Sequence, residues 1–119
     1  IAGIIDLKSD KSYKVELDKM TIKMQHRGPD DSGVFFDGGV SLGHCRLAII
    51  DTSKGGHQPM TREGVTIVFN GEIYNYKELR QRLSEYTFSS DSDTEVLIRA
   101  WQKWGVNMLD KLNGMFAFA

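Results

Sequence analysis

Apolar residues in this chain come in runs of at most about five, and that brevity dictates short elements joined by tight turns. A membrane-spanning helix needs roughly 20 apolar residues. None is available, and no basic segment followed by an apolar one opens the chain. With 119 residues, one domain around one core is expected, with a radius of gyration of roughly 13 Å. The chain is 40% hydrophobic and 26% charged, with twelve glycines and two prolines, which excludes disorder, collagen-like repeats and low-complexity sequence. Fifteen Lys and Arg against sixteen Asp and Glu leave a net charge of -1, so the positive field that a nucleic-acid duplex requires is missing. The single cysteine, Cys45, can form neither an intramolecular disulfide nor a multi-cysteine zinc site, and points to a reducing compartment, the cytoplasm.

The punctuation predicts the elements. Ile1 to Asp6 reads as a strand, and a polar loop follows around Lys8–Ser12. Leu17, Met20 and Met24 at i, i+3 and i+7 predict a short amphipathic helix. It should stop at Arg27-Gly28-Pro29-Asp30-Asp31-Ser32-Gly33, a tight loop, because the residue before proline is pushed out of the helical region. Val34–Phe36 and Val40–Leu42, joined through Asp37-Gly38-Gly39, predict a hairpin whose second strand continues to Ile50. Lys54–Pro59 is turn-rich, and Val65–Phe69 is a β-branched strand ending in an Asn70-Gly71 turn. Asn75 with Glu78 resembles a capping box for a helix over 76–84. Ser92 with Glu95 does the same for a second helix, which should end at Gly105. Met115–Ala119 alternates as a strand does. Early strands, later helices and hairpin links predict an α+β fold on antiparallel sheet.

His26, His44 and His57 lack the spacing of a zinc-binding helix, and no metal site is expected. No phosphate-binding loop of the G-x-x-x-x-G-K-[ST] or G-x-G-x-x-G kind is present. Cys45 beside His44 invites a nucleophile reading, but neighbours on a strand point to opposite faces, so a half-buried structural cysteine is preferred. Arg46 in an apolar strand must be paired or reach a cleft, as a salt bridge or a carboxylate clamp. Asp93 in a first helical turn is stabilised by the helix dipole whether or not it binds anything. Asn70-Gly71 can be a hairpin turn or a pair of oxyanion donors.

Ile1-Ala2-Gly3-Ile4, the Arg27–Gly33 segment, Gly43-His44-Cys45-Arg46-Leu47-Ala48-Ile49-Ile50-Asp51, Gln58-Pro59-Met60, Phe69-Asn70-Gly71-Glu72-Ile73-Tyr74-Asn75, Ser92-Asp93-Thr94-Glu95 and Leu112–Ala119 together resemble the class II glutamine amidotransferases. Within them the sequence is most similar to the glutaminase domain of the glutamine-hydrolysing asparagine synthetases. The resemblance runs from the first residue to the last. It implies an N-terminal-nucleophile hydrolase fold, a four-layer αββα arrangement of antiparallel sheets between helices, and release of ammonia from glutamine. By the same resemblance Arg46 holds the substrate carboxylate, and Asp93 with Glu72 holds its ammonium group. Asn70 and Gly71 form the oxyanion hole, a contribution of roughly 3 to 4 kcal/mol per donor. Backbone groups of Leu47 and Ile49 complete the substrate pocket, while His44 and the Arg27–Gly33 loop support it.

The family carries Cys-Gly immediately before the position matching Ile1, its thiol acting as nucleophile and its α-amine as base. Neither residue is in this sequence, and Cys45 does not replace them. Residues 1–119 therefore read as a partial domain that lacks the nucleophile and a C-terminal remainder, is inactive by itself, and is aggregation-prone in isolation. The alternative is an inactive scaffold or binding domain. The resemblance further implies a synthetase domain in the same chain, supplied with ammonia and using ATP and magnesium to make asparagine, with no cofactor in these residues. Homodimerisation is left open.

Overall fold

The computed structural model describes residues 1–8, 11–49 and 53–119. Ser9 and Asp10 of the expected polar loop, and Ile50 and Asp51 of the quoted motif, lie outside the described residues. Among the described residues three antiparallel sheets and three α-helices make an α+β arrangement.

The first sheet orders β1 (Ala2–Ile5), β3 (Val40–Arg46) and β2 (Asp31–Asp37). Its hairpin turns at Gly38 and Gly39, both at positive φ, as a two-residue loop matching strand twist demands. β2 starts three residues earlier than the sequence predicts, because Ser32 and Gly33 pair with Cys45 and His44. Gly33 permits this by having no side chain: a Cβ there would strike the Gln58 carbonyl, which crosses directly over β2. β3 ends at Arg46, short of the expected Ile50. Asp30 draws the chain out of the ladder, its N–H donating to the Arg46 carbonyl (3.0 Å) and its carboxylate accepting from Ala48 N–H (2.9 Å).

Helix α1 (Lys14–Met24) packs on β3 and closes with a 3-10 turn at Gln25–Arg27. Of its expected apolar stripe only Leu17 is fully buried, whereas Met20 is 38% exposed. The stripe is therefore anchored at a single position.

β4 (Met60–Arg62) and β5 (Val65–Ile67) form a second hairpin. The β-branched run then changes partner. Val68 exchanges both backbone hydrogen bonds with Ala119 (2.9 and 3.0 Å), and β6 (Phe69–Ile73) pairs antiparallel with β7 (Gly114–Phe118). Asn70-Gly71 is thus no turn but the middle of a strand. The closeness of β7 explains the glycine: Gly71 sits at φ +144°, and a Cβ would collide with the Met115 carbonyl.

Helix α2 (Tyr76–Arg82) is shorter than expected, and Asn75 does not cap it. The Asn75 side chain instead donates to the Lys111 carbonyl (2.9 Å) and accepts from Asn113 N–H (3.0 Å), tying the start of α2 to the segment entering β7. Helix α3 (Asp93–Trp104) is capped by Ser92, whose hydroxyl accepts from Thr94 N–H (3.0 Å). The capping box does not close, because Glu95 turns away to the Ser89 and Ser90 amides and hydroxyls. Gly105, at φ +56°, ends the helix, and a 3-10 helix, Gly105–Lys111, leads back to β7. Val96, Leu97 and Ala100 of α3 fill the core with Leu79, Leu83, Ile73, Ile67 and Met108. Burying each such large side chain contributes about 1.5–3 kcal/mol. No described helix is long and apolar enough to cross a membrane.

Candidate functional site

The antiparallel ladder between β6 and β7 determines which backbone groups face the site. Because Val68 bonds reciprocally with Ala119, and Tyr74 N–H reaches the Asn113 carbonyl (2.7 Å), the hydrogen-bonded pairs fall on even-numbered residues of β6. The odd ones, Phe69, Gly71 and Ile73, turn their N–H groups to the opposite edge, where no strand is paired among the described residues. Side chains fill that edge in part. Gln58 Oε1 accepts from Phe69 N–H (2.6 Å), and Asp93 Oδ2 accepts from Ile73 N–H (3.1 Å). Between these two held amides the Gly71 N–H points outward.

A cleft of about 660 Å³, within the range of small-molecule sites, opens at this edge. Its wall brings together Arg46, Leu47 and Ile49 from the end of β3 and beyond, Asn70, Gly71 and Glu72 from β6, and Asp93 from the first turn of α3. All seven residues singled out from the sequence therefore share one wall. Ile1 and His44 line it as well.

Arg46 is 7% exposed, and its Nη1 donates to the Ser53 carbonyl (2.9 Å), which fixes the guanidinium plane at the cleft wall. Asp93 is 4% exposed. Burial pushes its carboxyl above the ordinary value, and the Ile73 and Thr94 amides oppose that rise. A buried cation and a buried anion on one wall suit a ligand carrying both charges. Gly71 lines the same cleft beside them.

His44 and Cys45 diverge as neighbours on a strand should. Cys45 Sγ donates to the Thr21 carbonyl of α1 (3.3 Å), whereas His44 Nε2 meets the Phe69 carbonyl of β6 at 2.9 Å. A carbonyl only accepts, so Nε2 carries the hydrogen. Burial lowers the imidazole to about 4, and Nδ1 is left as a buried acceptor with no partner among the described residues. Of the Arg27–Gly33 segment, Arg27 lines the cleft, and the two Asp30 bonds bend the chain after Arg46. Asp31 binds the His57 ring (2.7 Å) beside Gln58.

Sequence reasoning assigned Gln58 no role, although the residue stood in a quoted motif. Its signal is weak: a glutamine before proline in a turn-rich stretch reads as loop. Only the fold reveals it as 5% exposed and bridged to two elements. Among the described residues no three His, Cys, Asp or Glu side chains come together as a metal site.

Over residues 1–119 the chain matches the glutamine amidotransferase domain family. Asparagine synthetase (glutamine-hydrolyzing) 1 of Bacillus subtilis is 50% identical over 104 residues, covering 84% of this chain and 16% of its own length. Asparagine synthetase (glutamine-hydrolyzing) 3 of the same organism is 44% identical over 126 residues, covering 100% of this chain and 20% of its own. Asparagine synthetase B (glutamine-hydrolyzing) of Escherichia coli is 42% identical over 126 residues, covering 100% and 22%. The chain thus spans between 16% and 26% of the length of the curated relatives it matches.

Proposed function

The chain belongs to the glutamine amidotransferase domain family, and from that membership we propose that its cleft binds glutamine and hydrolyses the side-chain amide to glutamate and ammonia. The observation that carries the reading is the edge of β6, where Gly71 N–H faces a cleft whose wall holds both buried Arg46 and buried Asp93. Arg46 takes the α-carboxylate through charge-assisted hydrogen bonds, and Asp93 with Glu72 takes the α-ammonium. Backbone groups of Leu47 and Ile49 close the pocket around the substrate. The side-chain carbonyl then lies against the Asn70 amide and Gly71 N–H, the donors that stabilise negative charge as the carbonyl carbon becomes tetrahedral.

The family's nucleophilic cysteine precedes the position of Ile1 by two residues. Ala2 pairs with Gly43, so Ile1 falls opposite His44 when the register is continued, and that cysteine is expected opposite Arg46, on the same face. Its thiol attacks the amide carbon while the α-amine accepts the thiol proton and delivers it to the departing nitrogen, releasing ammonia. Water then splits the thioester, giving glutamate and the free thiol. An amine near pKa ~8 and a thiol near ~8.5 exchange a proton readily at neutral pH.

The packing of α1 on one face of the first sheet, and of α3 against β6, supports a four-layer αββα order. The length of the relatives supports a synthetase domain in the same chain that receives the ammonia and makes asparagine with ATP and magnesium; no residue of this chain is assigned to either. The test is ammonia release from glutamine by the full-length protein and its Arg46→Ala variant. The variant should raise the KM for glutamine at least about tenfold, the loss of a charge-assisted clamp. Unchanged kinetics would remove Arg46 from the site, and glutamine binding without turnover, seen by calorimetry, would make the domain a scaffold.

A further inference from the structure

The N–H and C=O groups of Phe69 point sideways out of the β6–β7 ladder, so side chains must hold them. Gln58 Oε1 accepts from Phe69 N–H at 2.6 Å, and His44 Nε2 donates to the Phe69 carbonyl at 2.9 Å. Both peptide planes leading into Asn70 are thereby fixed from the cleft side. The other end of the Gln58 carboxamide donates to Thr94 Oγ1 (3.3 Å), next to Asp93 in the first turn of α3. One buried side chain thus touches the residue before the oxyanion donors and the residue after the ammonium-binding acid. An amide suits this place, because it offers an acceptor and a donor at once without adding charge.

We propose that Gln58 is a positioning residue, whose carboxamide sets the Asn70–Gly71 donors and the Asp93 end of α3 at a fixed separation for glutamine hydrolysis. The inference rests on the glutamine reading of the cleft. The shorter of its two bonds lies on the oxyanion side, so its loss acts mainly on the step in which charge develops. His44 holds the next peptide along, through the Phe69 carbonyl on the same edge, and burial keeps its imidazole neutral near neutral pH.

The experiment uses the full-length protein. Gln58→Leu keeps the approximate volume and removes both bonds. It should lower kcat for ammonia release, per folded molecule, by about tenfold or more while the KM for glutamine moves less than about threefold, the signature of an interaction made in the transition state. A folded variant with kcat within about twofold of wild type overturns the positioning role, and so does a lowered thermal midpoint with normal turnover per folded molecule. If Gln58→Leu does not fold, residue-resolved hydrogen exchange on the wild-type protein decides. Protection of the Phe69 amide comparable to that of Asn70 in the ladder supports the role, and exchange as fast as in loops overturns it. A wild-type protein that releases no ammonia overturns the glutamine reading itself; an active wild type beside an equally active Gln58→Leu overturns only the role of Gln58.

Discussion

At the scale of single residues, His44 shows how burial converts a titratable group into a fixed dipole. Burial is the main cause of its lowered pKa, and the bond to the Phe69 carbonyl opposes the shift without cancelling it. Above pH about 6.5 the imidazole is neutral in both the folded and the unfolded chain. Between 6.5 and about 4 the unfolded chain binds a proton that the folded chain does not, so this residue's contribution to stability falls as the pH drops. The total loss across that window is roughly 3 kcal/mol. Asp93 works in the opposite sense, because burial raises its carboxyl and the folded chain takes up that proton before the unfolded chain does. The two are separable by measuring the denaturation midpoint against pH for wild type and His44→Gln. The variant should lose the acid-side decline attributed to the histidine, and parallel curves would show that His44 is not the titrating group. Local sequence left Arg46 open between a salt bridge and a clamp and Asp93 explicable by the helix dipole alone, so only the family resemblance singled them out, and the fold brings both to one cleft wall. Gln58 was not legible, since its function arises from two bonds to residues 11 and 36 positions away.

Helix α3 carries the element-scale lesson. Its N-terminal cap was legible from the chain alone, and Ser92→Ala should destabilise the protein by about 1 kcal/mol, measurable as a shift in the urea midpoint at constant slope. A loss near zero would mean that water replaces the hydroxyl at Thr94 N–H. The capping box that Glu95 completes on paper fails in space, because the Ser89 and Ser90 donors outbid the helix start for its carboxylate. Burial raises that carboxyl, but the serine bonds and the nearby Arg62 outweigh it, and its pKa falls below the usual value. Asn75 fails as a cap for a similar reason, drawn to the Lys111 carbonyl and the Asn113 amide. The hairpin at Gly38-Gly39 was readable because its chemistry is local. Asn70-Gly71 was misread because nothing near it in sequence reveals that β7, more than 40 residues on, runs alongside.

For the molecule as a whole, the observed radius of gyration is 14.4 Å, with extents of 41 × 32 × 23 Å, somewhat more spread than the roughly 13 Å of a spherical domain this size. The spread reflects an uneven core. Most fully buried apolar side chains gather where α3 meets α2, β5 and β6, while the β1–β3–β2 sheet with α1 contributes Leu17 and Leu42. Leu97→Ala should therefore cost about 2–5 kcal/mol, whereas Met20→Ala on the open face of α1 should stay within about 0.5 kcal/mol. Chemical denaturation of both variants checks the contrast, and similar losses would refute the placement of the core. The α+β class followed from element order and turn chemistry, both local. The meeting of β3, β6 and α3 at one cleft is a long-range result that no spacing rule could supply.

The unpaired edge of β6 has one more consequence. An exposed strand edge invites a foreign strand to add to it, which is how many folded chains begin to associate. Here an intruder would find the Phe69 amide and carbonyl taken by Gln58 and His44, and the Ile73 amide by Asp93. It could register with little beyond Gly71, too short a stretch to anchor a strand. The side chains that leave the Gly71 amide open toward the cleft thus also shield the rest of this edge from an added strand.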